Sequence, residues 1–469
     1  MPVKPNAVHR PNIDKLPVEL LSHLFTLWSL VDNDAPWMAA SVSQEWRRIV
    51  LRCPRAWSNI SVILKAPNET TEEDRAWCIE EDEELEDEHS PRGKRRPLDL
   101  WFARSGSVPI ALTLAVAQTH PHIEFRIAEC VRVLEAHAPR LRRLSVQLES
   151  VPLAEGLFCV LPRLALHMLE VHIQHTPRRG PLRGAHTAGE DPHLPTLWSA
   201  VRAAQHVRLS GCFPPRRAPQ DALGTESLEL HSTPLSVREL APLLAQHQCL
   251  TALDLSEVWG APFPFENYTP EPVQLPALTR LTIGRVYMDL LTNVFVWLRA
   301  PALTHLTIGT GGVTELVWTM RRSDETSFET TARYGAALAE FVSHCPALES
   351  LCLMRATIHD RHLVDVLGKV PSLCELRIED SLVGTPLLRA LTLPMSATAA
   401  TSKKHKPVLC PNLQRLSFKK CDLVVGEHLI ALVQSRNRAG SPTTPLTDIH
   451  TLRCPNVSVA HLHDLLHAL

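Results

Sequence analysis

Hydrophobic positions along most of this chain recur in one short frame, x-P-x-L-x-x-L-x-L/I, in which a proline precedes three apolar residues. The last two apolar positions are separated by one residue, and side chains two apart on a strand point to the same face of a sheet. Each copy therefore predicts a short strand with one buried face. The clearest copies have their first leucine at Leu141, Leu278, Leu303, Leu348, Leu373 and Leu413. Weaker copies without the proline lie around Leu169, Val207, Leu228, Leu253 and Leu452.

Helical patterns follow many of these strands, with apolar residues three and four positions apart. Ser236 and Glu239 have the spacing of a capping box before one such run. Thr385 followed by Pro386 is typical of the start of another. Comparable patterns predict helices over Tyr287–Leu298, Tyr334–Val342, His362–Leu367, Glu427–Val433 and Val459–Leu466. The chain thus repeats one strand and one helix about every 25 residues.

Such repeats resemble leucine-rich repeats. The resemblance implies an α/β solenoid with parallel strands on the concave face and helices on the convex face. The Asn or Cys that the family carries after the strand appears at Cys212 and Cys421 but is replaced elsewhere, so the repeats are degenerate. Polar positions between the strand leucines should point outward and are candidates for binding a substrate. They are Thr282, Thr307, Cys352, Arg377 and Ser417, and the single basic residue among these five does not indicate a phosphate pocket.

The first sixty residues follow a different pattern, which predicts helices. Pro17 suits a first helical position, and the residues after it place Leu20, Leu21, Leu24 and Phe25 in one apolar stripe. A chain start without repeats offers no core of its own to cover this stripe. We therefore expect the stripe to contact a partner.

Two further short helices complete this segment. Pro36 can start the second helix, and the third is predicted roughly over Val42 to Leu51, with Trp46, Ile49 and Val50 on one side. A unit of this size is small for a hydrophobic core that is stable by itself. Such units commonly pack against a partner or a neighbouring domain.

Both halves of this segment resemble the F-box family. Leu16–Phe25 matches the family's opening L-P-x-E-L-L-x-x-I-F, and Val42–Trp57 matches its later V-C-x-x-W-R-x-I-A and P-x-L-W. Ser43 and Ala56 stand where the family usually has Cys and Leu. A further match, Leu98–Leu114, resembles the segment that joins the F-box to the repeats in fungal F-box/leucine-rich-repeat proteins.

The resemblance implies a non-catalytic substrate-recognition subunit of a cullin-RING (Skp–cullin–F-box) ubiquitin ligase. Its F-box would bind the Skp adaptor, and through it the cullin, while the repeats would bind an unidentified protein substrate. The residues expected at the adaptor are Leu16, Pro17, Leu20, Leu21, Leu24, Phe25, Trp46 and Ile49. Trp46 and Ile49 are equally consistent with packing in the chain's own core. The alternative is a leucine-rich repeat interaction scaffold that acts without ligase assembly, and affinity for the adaptor separates the two.

The predicted organisation is an F-box over residues 12–60, a linker over 61–97, and a solenoid over 98–469 with inserts near 175–195, 310–331 and 394–409. The linker contains an insert, residues 69–88, with twelve acidic side chains, and like-charged runs of this density stay solvated. Basic runs at residues 92–96 and 403–406 leave nuclear import open, so a cytoplasmic or nuclear location, or both, is expected.

Composition narrows the function classes. The formal net charge of -2 provides no basic field for nucleic acid. No stretch approaches the length of apolar residues that a membrane helix needs, so no membrane partner is expected. His463 and His467 lie one helical turn apart, but nothing completes a zinc site around them. Nucleotide-binding, metalloprotease and hydrolase motifs are absent from the sequence, so we expect no enzyme activity, catalytic residue, metal or cofactor.

Overall fold

The structure of the protein, a computed structural model, describes most of the chain. It describes residues 13, 16–64, 98–116, 123–148, 154, 157–158, 166–173, 197, 200–201, 203–211, 224–233, 237–258, 271–286, 288–310, 324–356, 358–393 and 408–469. The chain divides into two compact units, Met1–Pro181 (unit 1) and Leu182–Leu469 (unit 2).

Unit 1 begins with three helices and continues into parallel strands. Its elements are α1 (Val18–Val31), α2 (Ala35–Val42), α3 (Gln44–Leu51), a short 3-10 helix (Pro54–Trp57), β1 (Asn59–Leu64), α4 (Leu98–Arg104), β2 (Ile110–Val116), α5 (Ile123–His137), a 3-10 turn (Ala138–Arg140), β3 (Leu141–Leu148) and β4 (Met168–Ile173).

These four strands pair in chain order, each parallel to the next. Ile60, Leu112, Leu144 and Leu169 lie opposite one another across the sheet, and all four are buried. The first strand already begins at Asn59, within the residues predicted as the end of the F-box and the start of the linker. In unit 1, therefore, very few residues separate the helical segment from the first strand of the sheet.

Unit 2 repeats strands and helices. Its elements are β5 (His206–Ser210), β6 (Ser227–His231), α6 (Val237–Ala245), β7 (Ala252–Ser256), β8 (Val273–Gln274), β9 (Arg280–Val286), α7 (Met288–Trp297), β10 (Leu298–Arg299), β11 (His305–Thr310), α8 (Asp324–Ser343), β12 (Ser350–Met354), α9 (Asp360–Leu367), β13 (Glu375–Glu379), α10 (Thr385–Leu391), β14 (Arg415–Lys419), α11 (Gly426–Arg436), β15 (Asp448–Leu452) and α12 (Val459–Ala468).

The unit 2 sheet is parallel throughout its described strands, in the order β5-β6-β7-β9-β11-β12-β13-β14-β15, while β8 and β10 form a small separate pair. The strand leucines form a continuous buried row; Leu281, Leu306, Leu351, Leu376 and Leu416 are each at most 1% exposed. From α7 onward each helix packs against the next in chain order. The predicted fold class is confirmed: the architecture is α/β, with parallel strands and helices that repeat along the chain.

Some helix bounds differ from the sequence-based expectation. The helix expected from Tyr334 begins at Asp324, so the last part of the predicted insert at 310–331 is helical. Thr385 is the first residue of α10, and Gly384 occupies the capping position instead. Ser236 of the predicted capping box lies outside the described residues, as do most of the inserts near 175–195 and 394–409 and the acidic run at 69–88.

A left-handed residue recurs where the strands of unit 2 end. Positive φ angles between 47° and 67° occur at Gly211, Ser232, Glu257, Arg285, Arg355, Asp380, Lys420 and Arg453. This conformation costs an L-residue about 1–2 kcal/mol, so the fold must compensate for it. The residue that follows is buried in each described case, as at Ala356, Ser381 and Cys421. The turn thus directs the residue after it into the core, where Ser381 donates a hydrogen bond to the Ala356 carbonyl at 2.9 Å.

One histidine of unit 2 is buried without a hydrogen bond from its ring to any described residue. His247, in the turn between α6 and β7, is 0% exposed, and neither ring nitrogen has a hydrogen-bond partner among the described residues. Burial lowers the pKa of His247 to about 4. The folded protein therefore holds this imidazole in its neutral form, whereas the unfolded chain takes up a proton near its ordinary pKa.

We expect His247 to make folding pH-dependent. Because the unfolded state binds the proton first, the free energy of unfolding should fall by about 2 kcal/mol through this group as the pH drops from 7 to 5, and fall further toward pH 4. Urea denaturation at both pH values, compared between the wild type and His247→Leu, isolates that part of the pH dependence. Exposed His23 provides the control as His23→Leu. If both variants keep the wild-type pH dependence, the prediction is wrong.

Candidate functional site

Helix α1 has two apolar faces. Leu21 and Phe25 are 2% and 1% exposed, whereas Leu20 and Leu24 remain 54% and 36% exposed. Neighbouring residues on a helix lie about 100° apart, so each i, i+4 pair takes a separate face. The prediction that these residues form one apolar stripe is therefore wrong. Leu21 and Phe25 face inward, and Leu20 and Leu24 face outward.

The outward pair continues along the helix. Leu27 and Val31 are 51% and 89% exposed and follow Leu20 at i+7 and i+11. These four residues form the outer stripe of α1. Leu27 and Val31 were not among the residues predicted from the sequence, although their spacing was a readable signal of a shared face.

Two predicted adaptor residues precede the helix. Leu16 is 38% exposed, and Pro17 is exposed as well. Pro17 is the capping residue of α1 rather than its first helical residue, and its carbonyl accepts hydrogen bonds from the Leu20 and Leu21 N–H groups at 3.0 and 3.1 Å. Both residues thus lie at the N-terminal end of α1, beside the outer stripe.

The remaining predicted adaptor residues lie in the interior of the three-helix segment. Trp46 and Ile49 on α3 are 7% and 4% exposed, and the rings of Trp46 and Phe25 are 5.0 Å apart. The Ser43 hydroxyl caps α3 by accepting a hydrogen bond from the Trp46 N–H at 3.1 Å. In this conformation Phe25 and Trp46 pack α1 against α3. Leu21, Phe25, Trp46 and Ile49 are all buried and offer little surface to a partner.

A tryptophan cluster joins the three helices to α4. Trp57 is fully buried, its indole N–H donates to the Val50 carbonyl at 2.9 Å, and its ring lies 4.9 Å from Trp37 and 5.3 Å from Trp101. The guanidinium of Arg104 lies 4.2 and 4.5 Å from the centres of the Trp37 and Trp57 rings, within cation–π range. The outer stripe therefore lies on a helical segment that is packed against α4.

The open face of the unit 2 sheet consists of the strand side chains that alternate with the buried leucines. The five predicted substrate residues lie there on adjacent strands, paired in one row: Thr282, Thr307, Cys352, Arg377 and Ser417. Arg377 is exposed and the other four are partly exposed. The same row continues to Asp254 at one end and His450 at the other.

The first part of this face pairs its charges internally. Arg208 Nε donates to Glu229 Oε2 at 2.6 Å, and His231 Nε2 lies 3.5 Å from the same oxygen. Burial opposes ionisation of Glu229, but the hydrogen bonds from Arg208 and His231 outweigh it and lower its pKa. Burial raises the pKa of Asp254, although Ser256 donates a hydrogen bond to its carboxylate at 2.5 Å.

The last part of the face places two guanidinium groups on one carboxylate. Glu375 is 8% exposed and accepts hydrogen bonds from Arg377 Nε and, at 3.0 Å, from Arg415 Nη2. Burial would raise the pKa of Glu375, but the two hydrogen bonds outweigh it and the pKa is lowered. Beyond them Lys419 pairs with Glu379 at 2.6 Å. Glu375 and Arg415 were not predicted from the sequence, because nothing local marks either as a partner of Arg377.

Metal and membrane chemistry receive no support from the described parts of the chain. They contain no group of three or more His, Cys, Asp or Glu side chains that could hold a metal ion. His463 and His467 lie with their Nε2 atoms 3.3 Å apart, as their spacing predicts. None of the helices that the structure describes is both long and apolar enough to cross a membrane.

Comparisons with known proteins give likenesses of fold only. No protein-family model matches the sequence, and no curated protein matches it. Among solved structures, the chain is similar to one in the crystal structure of the Rad7 and Elc1 complex in yeast, at 15% identity and a TM-score of 0.32 over 67% of this chain and 71% of that one. It is also similar to one in the TLR13–ssRNA13 complex, at 13% identity and a TM-score of 0.29 over 66% of this chain and 45% of that one.

Proposed function

We propose that this protein is a non-catalytic substrate receptor of a Skp–cullin–F-box ubiquitin ligase. Its three-helix segment would bind the Skp adaptor, and its repeats would bind the target protein. The receptor's contribution is proximity: it holds the target beside the ligase so that ubiquitin transfer becomes effectively intramolecular.

The outer stripe of α1 carries this proposal. It exposes four large apolar side chains on one helical face, at the place where the sequence resembles the F-box opening. Contiguous exposed apolar surface of this kind typically marks a protein interface. The proposed adaptor contact therefore consists of the stripe with Leu16 and Pro17, while the four buried residues of the original set support it from beneath.

The second candidate is a leucine-rich repeat scaffold that acts without a ligase. The polar open face of unit 2, with its paired charges, fits a scaffold as well as a receptor, because in both functions this face would bind the target protein. Affinity for the adaptor distinguishes the two functions.

Binding to purified Skp adaptor is the test. Leu20→Ala with Leu24→Ala should weaken binding roughly a hundredfold or more, since each leucine buried at an interface contributes on the order of 1.5–3 kcal/mol. The same change at Leu462 and Leu466, an exposed i, i+4 pair on α12, is the matched control and should leave the affinity unchanged.

Both double variants replace exposed residues, so folding should be preserved and circular dichroism can verify it. Wild-type protein that is folded yet does not bind the adaptor would refute the ligase proposal and leave the scaffold. Equal affinity of the wild type and the α1 variant would place the contact elsewhere on the chain.

A further inference from the structure

Ser417 lines a pocket of about 200 Å³ on the open face of unit 2. Arg377 and His450 flank it on the neighbouring strands. Arg415 and Lys419 lie two residues before and after it on β14, on the same face of the sheet. A small side chain is thus surrounded by longer basic and imidazole side chains.

The two arginines that line this pocket share a single carboxylate. Glu375 lies at the back and serves both Arg377 and Arg415, so two guanidinium groups share one carboxylate. Lys419 is matched by Glu379, and His450 lies 3.1 Å from a carboxylate oxygen of Asp448. The two arginines therefore carry one more positive charge than the carboxylate that they share, while Asp448 adds a carboxylate at the edge of the pocket.

The two guanidinium groups are positioned and still have donors to offer. Glu375 takes one nitrogen from each, and an arginine carries five N–H donors in a fixed fork. The side chains of Arg377 and Arg415 remain 61% and 53% exposed, whereas that of Glu375 is 10% exposed. The carboxylate thus fixes the arginines from below while their outer N–H groups face the pocket.

We propose that this pocket binds the carboxylate of an aspartate or glutamate side chain in an acidic segment of the target protein. A carboxylate suits bidentate pairing with the free N–H groups of an arginine. A phosphate dianion would be repelled more strongly than a monoanion by Glu375 and Asp448, which also line the pocket. This inference rests on the proposed function, because it names the class of target that the repeats hold.

The test is fluorescence anisotropy with a fluorescein-labelled Gly/Ser peptide that carries several glutamates, at low salt. Peptides with glutamine or phosphoserine in their place serve as comparison probes. Ser417→Glu tethers a competing carboxylate in the pocket and should weaken binding about tenfold. Ser417→Gln has the same size without the charge and should bind the peptide more tightly than Ser417→Glu does.

Two arginine variants complete the design. Arg377→Gln should also weaken binding about tenfold, whereas Arg438→Gln, which changes an exposed arginine after α11, should not. The inference is overturned by wild-type protein that does not bind the glutamate peptide, by equal binding of the glutamine peptide, or by equal affinity of Ser417→Glu. A clear preference for the phosphoserine peptide would overturn the carboxylate in favour of phosphate.

Adaptor binding by the same preparations separates this inference from the proposed function. Ser417→Glu should retain the wild-type affinity for the adaptor, which also verifies its folding. Failure of the peptide experiment with adaptor binding intact would remove only the pocket, and failure of adaptor binding with peptide binding intact would remove only the ligase.

Discussion

Trp57→Ala is expected to lower the free energy of unfolding of unit 1 by about 4 kcal/mol. The side chain is 0% exposed, so its removal leaves a large cavity. It also removes the edge-on ring contacts with Trp37 and Trp101 and leaves the Val50 carbonyl without its indole donor. Trp57 thus connects α2, the end of α3 and α4 through one side chain.

Denaturant unfolding combined with hydrogen exchange at the amides of β1 and β2 would measure this loss in unit 1 itself. Trp57→Phe is the matched control: it restores part of the ring volume but lacks the N–H donor. Trp57→Phe should lower the free energy of unfolding by less than Trp57→Ala does, but the variant should still be less stable than the wild type. A loss of under about 1 kcal/mol in Trp57→Ala would mean that the cluster contributes little to stability.

The tryptophan cluster and the outer stripe have separable roles. Trp57 and Trp101 of the cluster are buried, and the stripe residues are on the surface of the same unit. Trp57→Ala should therefore change stability first, whereas Leu20→Ala with Leu24→Ala should change adaptor binding with little change in stability. A surface that is apolar yet hardly contributes to folding is what an interface requires.

The repeat architecture could be predicted because its signal is local. Leu281 and Ile283, like Leu351 and Leu353, are two residues apart, and all four are at most 1% exposed in the sheet. Period-two alternation decides which side of a strand is buried, whatever its neighbours are. The row of five open-face residues followed from the same rule, because equivalent positions of successive parallel strands pair.

The charge arrangement on that face could not be predicted in the same way. Arg377, Glu375 and Arg415 come together only because β13 and β14 pair in one particular register, across a sequence separation of 40 residues. Similarly, the α1 pattern shows several leucines and a phenylalanine without stating which of them a third helix covers. The position of Trp46 on α3 decides that Phe25 is inside and Leu24 is outside.

Arg436 is the clearest case of a residue whose role the sequence conceals. At the end of a helix an arginine normally indicates a solvated cation, yet this one is 1% exposed. Its guanidinium donates to the carbonyls of Leu391, Leu409 and Cys410 at 3.4, 3.3 and 2.5 Å. These carbonyls flank residues 394–407, so one side chain ties both ends of that segment to α11. Burial lowers the pKa of Arg436, and the three carbonyl acceptors compensate for the buried charge.

Arg436→Ala should consequently destabilise unit 2 by about 4 kcal/mol, because it opens a cavity and leaves three carbonyls without their donor. Arg436→Met refills much of the volume without any donor and avoids burying a charge, so it should recover about 1–2 kcal/mol of that loss. Urea unfolding of the two variants beside the wild type decides between packing and hydrogen bonding. A methionine variant as stable as the wild type would show that volume alone matters, and that the carbonyls flanking the segment find other donors once the arginine is gone.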